Sequence, residues 1–132
     1  MGAWGNGNFD NDQAMDFVGD FTDEPTLETI EHALTVVVDV GEEGEYIEVD
    51  EASAALAAAE MVAALLKKPA SDLPENLQPA LASMRSNAAL QKLARKAVKQ
   101  VLKESELQEL WAENGEPNDW QAVQEDLVKR LS

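Results

Sequence analysis

Three carboxylates are the residues whose types and spacing suggest chemistry first. Asp12 and Asp16 are four positions apart near the start of the chain, so they share one face if that segment is helical. Glu60 is the single charged residue in a long apolar stretch. Carboxylates held in different environments can divide the acid and base roles of a reaction, or assist a bound metal. Convergence of the three near Trp4 is the enzymatic alternative for this chain.

The sequence lacks the other parts that catalytic and metal sites need. It has no cysteine and one histidine, His32, so neither a zinc site nor a Ser-His-Asp triad can be assembled. We expect His32 to be a surface or boundary residue. A calcium loop over residues 39–50 is disfavoured because Gly41 supplies no side-chain oxygen at the third position. We therefore expect no metal, no cofactor and no catalytic residues, and we lean towards a non-enzymatic protein.

Glu60 lies in the segment Ala52–Leu66, and the composition of this segment predicts the central helix of the fold. Only Ser53 and Glu60 interrupt its apolar character, and a helix that is apolar on every side is buried. Alanine and leucine also have the highest helix propensity, so local preference and burial agree. We expect this helix over about 51–66, with Asp50 as its N-terminal cap.

A carboxylate in a buried helix needs either a proton or a partner. The candidate partners for Glu60 are the amine of Gly2, the indole N–H of Trp4, His32, or a base from a predicted helix at 88–103. Our hypothesis is that Glu60 anchors the N-terminal loop through the amine or the indole. The alternative is that Glu60 lies at an edge of the bundle and reaches water.

The negative charge of the chain is concentrated in its first half. Residues 1–66 contain no Lys or Arg and carry the whole net charge of −16, whereas acids and bases cancel in residues 67–132. Such a field repels nucleic acid and anionic membranes and attracts a basic protein surface. Alternatively, the acidity only keeps the protein soluble. We expect the acidic partner surface to consist chiefly of Glu42, Glu43, Glu45 and Glu48.

The periodicity of apolar residues predicts a single all-α domain over residues 1–132. We expect six or seven helices in an irregular or orthogonal bundle around the central Ala-rich helix. Apolar stripes and capping residues place the helices at about 12–21, 27–40, 51–66, 75–84, 88–103 and 105–113, with a last helix after Asn118. No secretory signal is visible and the central apolar run is too short for a membrane span, so we expect a cytoplasmic protein.

Local details complete this prediction. Pro25 suits the first turn of the second helix, and Gly41 is expected to end that helix. Tyr46, Ile47 and Val49 are candidates for a brief extended pairing. We interpret the basic face of the helix at 88–103 as paired internally with the acidic half rather than with nucleic acid.

The opening residues form a specific motif, Gly-Ala-Trp-Gly-x-Gly-x-Phe-x-Asn-Asp, from Gly2 to Asp12. It resembles the start of an uncharacterised bacterial family classified as a domain of unknown function. The resemblance continues through Tyr46-Ile47-Glu48, the Ala-rich segment and the residues from Ser105 to Trp111. It implies a small intracellular bacterial protein and no known activity. Within and behind this motif we predict a binding site formed by Trp4, Asn11, Asp12, Asp16 and Glu60.

The leading interpretation is a non-enzymatic binding protein that presents acidic surface to a basic partner protein, as a monomer or weak homodimer. We expect neither nucleic acid nor membrane as a partner. Its sharpest form is an inhibitor or immunity protein that occupies the cationic site of a toxin, by analogy with other small bacterial proteins.

Overall fold

The computed structural model describes residues 8–9, 12–68, 73–75, 77–82, 84–103 and 119–131. These residues contain six helices and no strand, which confirms the predicted all-α class. The helices are α1 (Asp12–Asp23), α2 (Leu27–Glu42), α3 (Val49–Leu65), α4 (Leu77–Ala82), α5 (Ala88–Lys103) and α6 (Asp119–Arg130). The predicted helix at 105–113 lies outside the described residues.

The Ala-rich helix α3 is the centre of the bundle, as its composition predicts. It packs against each of the other five described helices. All of its residues from Ala52 to Ala63 are buried except Ala54. Its many small side chains allow neighbouring helices to approach closely on every side. Although α3 is strongly apolar, none of the described helices combines the length and the apolar character that a membrane crossing requires.

The start of α3 differs slightly from the prediction. The helix begins at Val49, and Glu48 occupies the capping position without a side-chain hydrogen bond to the first turn. Asp50, the predicted cap, therefore lies with Glu51 inside the first turn, where both carboxylates favour the positive end of the helix dipole. Because Val49 is helical, the predicted extended pairing of Tyr46, Ile47 and Val49 is wrong for Val49.

Side-chain caps define two other helix starts. Thr26 caps α2 by accepting a hydrogen bond from the N–H of Thr29 at 3.3 Å. Pro25 consequently precedes the cap instead of lying in the first turn, so that detail of the prediction is wrong. Asn87 caps α5 by accepting from the N–H of Leu90 at 2.8 Å. The predicted bounds of α5, 88–103, are confirmed.

The end of α2 lies beyond the glycine that the sequence suggested. Gly44, with φ of 74°, is the left-handed residue that follows the helix, and the N–H of Glu45 donates to the carbonyl of Val40 at 3.0 Å. This is the Schellman arrangement. Gly41 instead lies inside α2, where a Cβ would stand 2.5 Å from Oε1 of Gln100 on α5. The prediction was wrong because a glycine inside a helix looks the same in sequence as one that ends it.

α3 ends in the same Schellman arrangement, but a lysine instead of a glycine occupies the left-handed position. The N–H groups of Lys67 and Lys68 donate to the carbonyls of Ala64 and Ala63 at 3.0 and 2.9 Å. Lys67 has φ of 69°, a left-handed conformation that costs a residue with a Cβ about 1–2 kcal/mol. This turn also positions the carbonyl of Lys68 to accept a hydrogen bond from Arg130 on α6 at 3.2 Å.

These two helix ends generate a paired prediction. Lys67→Gly should raise the free energy of unfolding by about 0.5–1 kcal/mol, because relief of the left-handed strain exceeds the entropy cost of glycine. Gly44→Lys should lower it by about 1 kcal/mol, since it introduces the same strain at the end of α2. Urea unfolding of both variants tests this, and a destabilised Lys67→Gly variant would contradict the account.

Candidate functional site

The centre of the fold contains a buried ion pair between Glu60 of α3 and Arg130 of α6. Glu60 is 1% exposed. Nη1 of Arg130 donates to Oε1 at 2.8 Å and Nη2 donates to Oε2 at 3.1 Å, so the two planar groups face each other with two parallel hydrogen bonds. This bidentate geometry is the strongest form of a carboxylate–guanidinium pair. It supplies the compensation without which a buried carboxylate is strongly unfavourable.

Two amide side chains extend this pair into a network that reaches the N-terminal segment. Asn8 donates from Nδ2 both to Oε2 of Glu60 at 2.8 Å and to Oε1 of Gln124 at 3.0 Å. Gln124 donates back from Nε2 to Oδ1 of Asn8 at 2.6 Å, which closes a reciprocal amide pair. Both amides are buried, and no buried side-chain nitrogen or oxygen in the described part of the chain lacks a hydrogen-bond partner. We call Asn8, Glu60, Gln124 and Arg130 the buried polar cluster.

Arg130 connects the cluster to the surface. Its Nε donates to Oδ2 of Asp126, one turn earlier on α6, at 2.8 Å. Burial disfavours the charged guanidinium, but the hydrogen bonds and Coulombic attraction of Glu60 and Asp126 outweigh it and raise the pKa of Arg130 above its ordinary value. A raised pKa stabilises the folded state below the ordinary guanidinium pKa, and this contribution is lost only when strongly alkaline pH passes the folded pKa. Arg130 therefore stays charged at acid and neutral pH.

The described partners of Glu60 were not among the candidates suggested by the sequence, and a contact with Gly2 or Trp4 stays a prediction. Gly2 and Trp4 lie outside the described residues, and His32 is exposed on α2. The basic partner comes instead from α6, and the link to the N-terminal segment comes from Asn8. Because Glu60 is buried, the alternative that it reaches water is wrong.

Sequence reasoning missed three of the four cluster members. One signal was available, because Gln124 occupies a position on the α6 stripe of Trp120, Leu127 and Leu131, all of which are buried. A polar residue on a buried stripe indicates that a partner is present. Neither Asn8, which occupies an unspecified position of the opening motif, nor Arg130 has a comparable sequence signal.

The carboxylates of the enzymatic alternative do not converge. Asp12 and Asp16 are exposed on α1, whereas both oxygens of Glu60 are occupied by the buried polar cluster. In the described ranges, no three metal-ligating side chains group together. Asn11 lies outside those ranges. A binding role for Asp12 and Asp16 stays a prediction, but a joint site with Glu60 has no geometric basis here.

The predicted acidic partner surface divides into one paired and three exposed glutamates. Glu42, at the end of α2, pairs with Lys96 of α5 at 2.5 Å, with both side chains about half exposed. This contact confirms internal charge pairing for one lysine of the basic α5 face. Glu43, Glu45 and Glu48 are exposed, and no described base lies within ion-pair distance of them. We call these three residues the acidic loop.

The buried ion pair generates a stability prediction. Glu60→Gln preserves the shape of the side chain but leaves the partly buried Arg130 without its charged partner. We expect the free energy of unfolding to fall by about 3 kcal/mol, as for other buried pairs that lose one member. Urea unfolding at neutral pH measures this loss.

Asp126→Asn is the matched control, because it removes the other carboxylate of Arg130 from a side chain that is 66% exposed. Exposed pairs contribute little, so its cost should stay below about 1 kcal/mol. Equal losses for the two variants would contradict a special role for the buried contact.

Comparison with known protein families gave a match over most of the chain. Residues 2–123 match the family described as Domain of unknown function (DUF4259). This match includes Asn8 and Glu60 and ends before Gln124 and Arg130. Neither the curated proteins nor the solved structures yielded a match. The predicted family type is thereby confirmed, although the N-terminal motif as its marker stays a prediction. Because the match covers most of the chain, the protein belongs to this family of domains of unknown function.

Proposed function

We propose that the protein is a non-enzymatic binding domain whose acidic first half engages a basic surface of a partner protein. The observation that carries this proposal is the unpaired charge of the acidic loop. Arg130 and Lys96 are engaged with Glu60, Asp126 and Glu42. In contrast, the acidic loop projects three carboxylates to solvent, and no described base pairs with them.

The size and placement of the charge favour recognition over solubility alone. A net charge of magnitude about 2–8 is sufficient to keep a small domain soluble, whereas this chain carries −16. Confinement of that charge to residues 1–66 adds self-repulsion within that part of the chain. A negative field accelerates association with a basic partner, so recognition of such a partner would explain why this repulsion is retained.

The most specific form of the proposal is that the protein inhibits its partner. A surface that carries several carboxylates and no base can occupy a cationic site that ordinarily holds the phosphates of a nucleic acid. An immunity protein that blocks the active site of a toxin would act in this way. Electrostatic complementarity of this kind determines association rate and specificity more than total affinity.

A labelled peptide of lysine and glutamine tests the charge requirement directly. Fluorescence anisotropy should detect its binding to the full chain at about 10 mM salt, where the Debye length is about 30 Å. Binding should weaken at least about tenfold at about 150 mM salt, where the Debye length is about 8 Å.

Two variants with equal charge changes test whether the acidic loop matters. Glu43→Lys/Glu45→Lys should weaken binding severalfold more than Glu75→Lys/Glu125→Lys, which alters exposed acids outside the first half. Equal weakening would show that only total charge matters and would contradict a located surface. Absence of binding by the unaltered chain at low salt would contradict the proposal as a whole.

A further inference from the structure

An open groove lies between α1, α2 and α3, at the point where the central helix is incompletely covered. Its volume is about 850 Å³, which is within the range of about 300–1,000 Å³ typical of binding clefts. Ala54 lines it and is the one residue between Ala52 and Ala63 that is not buried. The bundle therefore covers this part of α3 on every side except towards the groove.

The floor of the groove is apolar and is built from all three helices. Phe17 comes from α1, Ala33 and Val36 from α2, and Ala54 from α3. All four side chains are half-buried. Ala33 and Val36 are three positions apart and so share one face of α2. This floor offers a partner a contact surface that water solvates poorly.

The rim of the groove is acidic. Its lining includes His32 but no Lys or Arg, and all lining residues lie within the first half of the chain. No described base forms an ion pair with any of its carboxylates. The rim carboxylates are Asp20, Glu24, Glu28, Asp50 and Glu51.

We infer that this groove binds a basic amphipathic α-helix of a partner protein, an inference that rests on the proposed function. The apolar side chains of such a helix would cover Phe17, Ala33, Val36 and Ala54, while its lysines and arginines would meet the rim carboxylates. Helix-in-groove recognition uses apolar residues at positions i, i+3, i+4 and i+7 in this manner. Strand addition needs a free sheet edge, and the described residues contain no strand.

Other classes of ligand would match either the apolar floor or the acidic rim of the groove, but not both. A purely apolar ligand would remove water from five carboxylates without replacing their solvation. A cation alone would leave the apolar floor uncovered, and no metal-ligating group of three forms among the described side chains. A second copy that docks through the same face would oppose like charges. A basic amphipathic helix complements floor and rim together.

Two helical peptides of equal positive charge test the inference. One carries lysines with a leucine stripe, and the other carries lysines and glutamines without apolar residues. The unaltered full chain should bind the leucine peptide at least about tenfold more tightly, because only this peptide uses the floor. Anisotropy titrations at one low salt concentration provide the comparison.

Ala33→Glu is the decisive variant, because it adds negative charge but places a carboxylate on the apolar floor. The tenfold preference for the leucine peptide should be lost in this variant. Ala122→Glu is the matched control, since Ala122 is exposed on α6 and receives the same added charge; it should retain the preference. Ala54→Gln, which adds a polar side chain without charge, repeats the test if Ala33→Glu fails to fold.

The outcomes separate this inference from the proposed function. If neither peptide binds the unaltered chain, both fail. If both peptides bind equally, or if Ala33→Glu and Ala54→Gln retain the preference, the groove inference fails while charge recognition stands. Sedimentation should show a monomer; dimers disrupted by Ala33→Glu would assign the groove to a second copy and overturn the inference.

Discussion

The structure depends on the burial of one carboxylate in its central helix. Glu60 is tolerated among apolar neighbours because Arg130 neutralises it and Asn8 satisfies the remaining hydrogen-bonding capacity of Oε2. These partners are 70 and 52 residues away along the chain, on opposite sides of Glu60. Compensation of the charge therefore requires that the beginning and the end of the described chain meet at α3.

The need to pair Glu60 favours one arrangement of the helices over others. Its net contribution to the free energy of unfolding is the smaller effect. An apolar side chain at position 60 can stabilise a core as well as an ion pair does, because both ions lose their hydration when buried. An ion pair, however, has one geometry, and displacement of α6 along α3 would leave a buried charge unpaired. The reciprocal amide pair of Asn8 and Gln124 adds a second geometric condition across 116 residues. We regard the buried polar cluster as the element that fixes the register of α6 on α3.

The same arrangement determines the electrostatic character of the surface. Arg130 pairs with Glu60 and Lys96 pairs with Glu42, so each of these two bases neutralises one acid of the first half. The carboxylates of the acidic loop and of the groove rim form no ion pair with a described base, and this unpaired charge is the basis of the proposed recognition of a basic partner. In the inferred complex, a basic partner also buries apolar side chains on the floor of the groove, next to the acidic rim.

Local patterns in the sequence were sufficient to predict the helices but not the contacts between them. Composition alone identifies α3, and an apolar stripe identifies α5, because both signals act within a few turns. Gly41 and Gly44 could not be distinguished, since only the left-handed conformation of Gly44 in the folded chain shows which of them ends the helix. The pairing of Glu60 with Arg130 was missed because nothing near position 130 indicates which distant carboxylate it meets. The groove was missed as well, because it depends on the relative orientation of three helices. A local sequence pattern does not determine that orientation.

Solution NMR of the side-chain amides tests the central claim most directly. If the buried polar cluster connects the N-terminal segment, α3 and α6, the Asn8 and Gln124 amide protons should exchange slowly with solvent and show a mutual nuclear Overhauser effect. Exposed amides such as Gln78 provide the fast-exchanging reference within the same spectrum. Exchange of the Asn8 and Gln124 protons at the rate of exposed amides, with no contact between them, would contradict the account.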